Sequence, residues 1–112
     1  MEIASSNVDG ITVMQVQGRV NSQTAPLLGE KLMSALGPSN ARLALDMSGV
    51  DYLSSAGLRV LQVAARHADE NAGRLVLHGL NSRVAEVFEI SGFAMILTVC
   101  ATGADAAALL RA

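Results

Sequence analysis

The sequence predicts a single α/β domain spanning residues 1–112, with a mixed, mostly parallel sheet of four to five strands and four helices. Three observations carry that prediction. Short apolar runs alternate with longer stretches whose apolar residues recur at helical spacing. Two of the short runs, Leu43-Ala44-Leu45 and Leu75-Val76-Leu77, are continuously apolar, as strands buried on both faces of a parallel sheet are. At the start, Asp9-Gly10 separates two apolar stretches, which signals an antiparallel hairpin.

The hairpin strands are read as Ile3 to Val8 and Ile11 to Gln17. In the second, Ile11 and Val13 alternate, and then Met14 and Val16 fall out of step, so a one-residue bulge is expected there. Asn21, Ser22 and Thr24 can each cap the first helix, and Pro26 suits only its opening turn. Ala25, Leu28, Leu32, Ala35 and Leu36 form its apolar face, and Gly37-Pro38 stops it. The strand Leu43 to Met47 is followed by an expected loop, Ser48 to Ser54. A second helix runs from about Ser55 to Asn71, with Leu61, Ala64 and Ala68 inward and Val60 at the margin. After the strand at Leu75, Asn81 or Ser82 caps a third helix carrying Val84, Val87, Phe88 and Ile90, closed by Gly92. Ile96 to Val99 reads as the last strand. Thr102 and Asp105 resemble a capping box for a short final helix that buries Ala106, Leu109 and Leu110.

The order β-β-α-β-α-β-α-β-α implies right-handed crossovers. Every strand end that precedes a helix then lies on one rim, where open α/β sheets place their functional groups. Asn21, Ser54, Ser55 and Asn81 share that rim.

Composition narrows the function classes. The net charge of −2 lacks the basic excess of a nucleic-acid binder. No apolar stretch is long enough for a membrane span. The opening Met1-Glu2-Ile3 has no signal-peptide character. One cysteine, Cys100, permits no internal disulfide. The expectation is a cytoplasmic binding domain. His67 reads as part of a solvated face and His78 as a strand end. Neither has partners at metal-ligand spacing, so no metal and no cofactor are expected. Asp46 and Asp51 read as turn and capping groups. Arg19 and Arg59 lie near the rim, within reach of a phosphate.

The segment Leu45 to Leu58, LDMSGVDYLSSAGL, is the most informative. It joins a buried strand to a helix start, where free N–H groups and the helix dipole favour an anion. A Ser-Ser pair there is ordinarily a cap. A nucleophilic serine is disfavoured, because no Gly-x-Ser-x-Gly elbow and no His-acid partner pattern accompany it. Glycine-rich nucleotide motifs are also missing.

This segment, the opening GRVNSQTAP at Gly18 to Pro26, and the order of elements together resemble the bacterial anti-sigma factor antagonists, which are STAS domains. The likeness covers essentially the whole chain. It implies a binding module rather than an enzyme. In that family the phosphorylated serine stands two positions before the signature glycine. Gly57 matches the glycine, so the resemblance places the phospho-acceptor at Ser55, with Ala56 in place of a small hydroxyl residue and Ser54 where Asp is common. Arg19-Val20-Asn21 stands where the family often has Glu-Leu-Asp. The implied partners are a serine kinase of histidine-kinase-like ATPase fold, which is also the anti-sigma factor, and a metal-dependent serine phosphatase. The implied contact surface comprises Asn21, Ser22, Ser54, Ala56, Gly57, Leu58 and Arg59, with Leu58 supplying apolar contact. A second use fits the same resemblance: an unphosphorylated STAS adaptor in a transport or sensory assembly.

Overall fold

The computed structural model describes residues 1–92 and 97–112. Among them the chain forms a five-stranded sheet and four helices in the predicted order. The sheet order is sequential: β1 (Glu2–Val8), β2 (Ile11–Val20), β3 (Arg42–Leu53), β4 (Arg74–His78) and β5 (Thr98–Cys100). β1 and β2 pair antiparallel through a two-residue turn, and the other pairs are parallel. The turn has φ of 52° at Asp9 and 82° at Gly10. Two successive positive values define a type I′ turn, whose twist matches the flanking strands and which Asp-Gly favours.

Helices α1 (Ala25–Leu36), α2 (Ser55–Glu70) and α3 (Ser82–Ser91) pack on one face of the sheet. Sequential strand order explains this. Right-handed crossovers that always step in one direction leave every crossover helix on the same side. Leu28 and Leu32 of α1, Leu61 of α2 and Phe88 of α3 meet Leu43, Leu45, Met47 and Leu77 there in an aliphatic core. Helix α4 (Gly103–Arg111) covers the opposite face, where Ala106 and Leu110 pack on Ile11, Ala44 and Val76.

Three sequence-based expectations change. The second strand has no slip: Ile11 and Val13 face α4, whereas Met14 and Val16 face the main core. Both faces of this strand are apolar, so strict alternation disappears. The irregularity lies against β3 instead, which runs on through the expected loop to Leu53. Gln15 pairs with Asp46 but Gln17 with Gly49, and Gly18 with Val50 but Arg19 with Tyr52. Each slip gives β3 one extra residue. Met47, Val50 and Leu53, three apart, therefore all reach the same core.

His67 is not on a solvated face. It is half-buried, and its Nε2 donates to the Gly37 carbonyl at 2.8 Å, tying α2 to the end of α1. Ile90 of α3 is 79% exposed. Within the last strand, Ile96 lies outside the described residues, while Thr98 to Cys100 pair with β4. Thr102 caps α4 by accepting the Asp105 N–H at 3.1 Å.

Candidate functional site

The C-terminal ends of β2, β3 and β4 and the starts of α1, α2 and α3 form the rim on which the sequence places its candidates. Between β2 and α1, Asn21 folds the chain on itself. Its Oδ1 accepts the N–H groups of Gln23 at 2.9 Å and Thr24 at 3.0 Å, and its own N–H donates to Thr24 Oγ1 at 2.9 Å. Thr24 Oγ1 donates in turn to the Arg19 carbonyl at 2.9 Å. Asn21 thus shapes the loop that delivers Ser22 to the surface. The residue before α1 is Thr24, whose side chain does not cap the helix.

At the β3–α2 junction the two serines differ. Ser54 has extended backbone, and its Oγ accepts the Gly57 N–H at 3.2 Å, the ordinary cap that Ser provides. Its own N–H donates to the Val20 carbonyl at 2.9 Å, so the end of β2 holds the helix start in place. Ser54 is half-buried. Ser55 is the first helical residue, is exposed, and makes no side-chain hydrogen bond among the described residues.

Ser55 lies in an open groove of about 390 Å³ between α1 and α2, lined also by Ser22, Ala25, Pro26, Ala56, Arg59 and Val60. Arg59 is the one ionisable residue of that lining. It stands one helical turn beyond Ser55, at a spacing that puts the two side chains on the same face. With the free N–H groups at the start of α2, this is a positive setting for the hydroxyl. No general base accompanies it: the lining holds no histidine and no carboxylate. Among the described residues, no three His, Cys, Asp or Glu side chains are grouped so as to hold a metal.

Two residues of the expected contact surface point inward. Leu58 is 3% exposed and belongs to the core, so it offers no apolar contact outside. Gly57 is buried as well. A Cβ there would lie 2.6 Å from Leu53 Cδ1 and 2.8 Å from Val20 Cγ1. Glycine lets α2 sit close on the ends of β2 and β3 without displacing these side chains. Asn21, Ser22, Ser54, Ala56 and Arg59 stay at or near the surface around Ser55.

Beside this groove lies a surface that sequence reasoning missed. Arg19 and Tyr52 are cross-strand partners, and the Arg19 guanidinium stands 4.3 Å from the Tyr52 ring centroid. Tyr52 borders a second groove of about 360 Å³ with Asp51, Leu53, Arg83, Val84, Glu86, Val87 and the exposed Ile90. The signal available was the chain's single tyrosine within the informative segment, set beside exposed charges.

The STAS-domain family model matches residues 2–106, and the chain belongs to the STAS family. It is 39% identical over 111 residues to the Bordetella bronchiseptica protein BtrV, provisionally named as an anti-sigma factor antagonist, covering 99% of this chain and 96% of that one. It is 31% identical over 99 residues to the anti-sigma-B factor antagonist of Listeria monocytogenes, covering 88% and 86%. The fold is shared with SpoIIAA, an anti-sigma factor antagonist of Bacillus with structures in two forms. The unphosphorylated form aligns with TM-score 0.77 at 17% identity, covering 98% of this chain and 96% of that one. The phosphorylated form aligns with TM-score 0.69 at 16% identity, covering 98% and 100%. STAS proteins of this kind are binding regulators rather than enzymes. Among the described residues no helix is long and apolar enough to cross a membrane.

Proposed function

We propose that this chain is an anti-sigma factor antagonist whose binding is switched by phosphorylation of Ser55. The observation that carries the reading is the division of labour between the two serines. Ser54 is occupied as the helix cap, while Ser55 presents an unbonded hydroxyl in a groove with Arg59. The names of the relatives and the phosphorylated form of SpoIIAA support the same class of device.

Unphosphorylated, the surface around Ser22, Ala56, Arg59 and Ser55 binds an anti-sigma factor that is also a serine kinase, of histidine-kinase-like ATPase fold. The kinase supplies the phosphoryl chemistry, and the antagonist supplies a hydroxyl on a fitted surface. Phosphorylation adds about −1.5 to −2 of charge. The helix start accommodates that charge locally, but the interface must desolvate it, at a cost of several kcal/mol. Each 1.4 kcal/mol is about tenfold in affinity, so a loss of about a hundredfold needs no change of shape. A metal-dependent serine phosphatase resets the switch.

The test is phosphate incorporation from ATP by the cognate kinase, read by intact mass. Wild type and Ser54→Ala should each gain one phosphate, and Ser55→Ala none. If Ser54→Ala blocks incorporation and Ser55→Ala does not, the acceptor is misassigned.

A further inference from the structure

Since α1, α2 and α3 share one face of the sheet, only α4 lies over the other among the described residues, and it leaves an opening there. A cleft of about 220 Å³ runs between α4 and the sheet. Its walls are apolar: Val8, Ile11 and Val13 from the hairpin, Ala44 from β3 and Ala107 from α4. His78, at the end of β4, also lines it. That residue is 8% exposed, yet its ring makes no hydrogen bond among the described residues. Its ring nitrogens are not sealed from solvent, so a donor position at the cleft wall stays open to a ligand.

The surroundings of His78 select for charge. Its ring lies under the N-terminus of α4: a Cβ on Gly103 would be 3.2 Å from Cε1 and 3.6 Å from Nε2. Thr102 caps the Asp105 N–H, which leaves other first-turn N–H groups of α4 free, with the positive end of the helix dipole. Arg111 lines the cleft toward the far end of the helix, roughly 12 Å along its axis. It is loosely paired with Asp9 at 3.7 Å. Asp46 is the register neighbour of His78 but does not line the cleft; its Oδ1 accepts the Ser48 N–H at 2.9 Å. Asp105 is exposed.

We propose that this cleft binds a small amphipathic carboxylate. Its hydrocarbon body lies along Val8, Ile11, Val13 and Ala107, and its carboxylate accepts the N–H of His78 beneath the start of α4. The volume falls below the roughly 300–1,000 Å³ of pockets for drug-sized ligands, which restricts the body to a medium-length chain or a single ring. The site lies on the face opposite the core that seats Ser55, and it stands independently of the phosphorylation switch.

The test is a two-dimensional amide NMR titration of the full chain with octanoate, 1-octanol and acetate as probes. Octanoate should give saturable shifts at Val13, Ala44 and Ala107 with a Kd of about 1 mM or tighter. Octanol should bind at least tenfold more weakly, and acetate should not saturate. His78→Phe keeps a ring in place and should weaken octanoate at least tenfold. Ala107→Leu fills the cleft from the helix side and should abolish binding, which keeps the test intact should His78→Phe unfold. Equal binding of octanol and octanoate, saturation mapped elsewhere, or no saturation by octanoate overturns the proposal.

Discussion

Asn81 Nδ2 donates to the Val50 carbonyl at 2.8 Å, while its Oδ1 accepts the Val84 N–H at 2.9 Å. One side chain thus caps α3 and also holds α3 to the irregular end of β3. Asn and Asp are nearly equivalent as caps, so the two roles separate by substitution. Asn81→Asp keeps the acceptor but turns a carboxylate toward a carbonyl oxygen. It should destabilise the fold by about 1–2 kcal/mol, close to the effect of Asn81→Ala. Urea denaturation of the two variants checks this. Near-neutrality of Asn81→Asp would show that the Val50 bond contributes nothing.

Gly57 meets Leu53 and Val20 where α2 settles on the strand ends. Replacing it with Ala gains about 1 kcal/mol of helix propensity. The added methyl would stand 2.6 Å and 2.8 Å from core atoms, which forces side chains to move at a cost of about 1–3 kcal/mol. Gly57→Ala should therefore be net destabilising. Combining it with Leu53→Val should recover part of the loss by removing the nearer atom. The recovery stays partial because the Val20 methyl remains. A double-mutant cycle on thermal stability measures the coupling.

The Ser54 cap contributes to stability separately from any modification. Ser54→Ala should cost about 1 kcal/mol, and Ser54→Asp should restore nearly all of it. Chemical denaturation in parallel with the phosphate assay would separate a folding residue from an acceptor.

Element order was legible because the alternation of apolar runs with helical spacing survives every local irregularity. The end of β3 was not. Met47, Val50 and Leu53 recur every third residue, a period that belongs to neither a strand nor a helix. They line one face only because β3 carries two extra residues relative to β2. The same slips bring Tyr52 beside Arg19, so that pair needs the register and cannot be found from spacing. The place of Ser55 at the start of α2 was legible from the strand-to-helix segment, but the inward turn of Leu58 was not. One residue per 100° sweeps a helix start from groove to core within a single turn, and only the seating of α2 on Val20 and Leu53 sets where the sweep begins. Helical spacing alone does not settle burial either: Ile90 stands three residues after Val87, yet α3 turns it to solvent.

The Arg19–Tyr52 pair is exposed, with Tyr52 at 41%. A cation–π contact in that setting contributes about 0.5–1 kcal/mol. Arg19→Ala should therefore hardly change stability. If the second groove belongs to the partner surface, Tyr52→Ala should weaken kinase binding by tenfold or more with no matching loss of stability. Calorimetric titration beside thermal melting distinguishes the two effects. Unchanged affinity would confine partner contact to the groove around Ser55.

A negative charge at Ser55 has opposite consequences for the domain and for its complex. Ser55 opens α2, so Ser55→Asp places a carboxylate near the positive end of the helix and one turn from Arg59. Such a charge stabilises a helix by about 0.3–1 kcal/mol, and salt screens part of it. The isolated variant should thus be as stable as wild type or slightly more so. In the proposed complex the same carboxylate must leave water, a cost that Arg59 and the helix start offset only in part, and binding should fall by about a hundredfold. Ser55→Ala should bind at least as well as the unphosphorylated wild type. Melting and titration on the same samples decide the matter: a variant that loses affinity only in proportion to lost stability is unfolding, whereas one that holds its stability and releases the kinase has been evicted by charge.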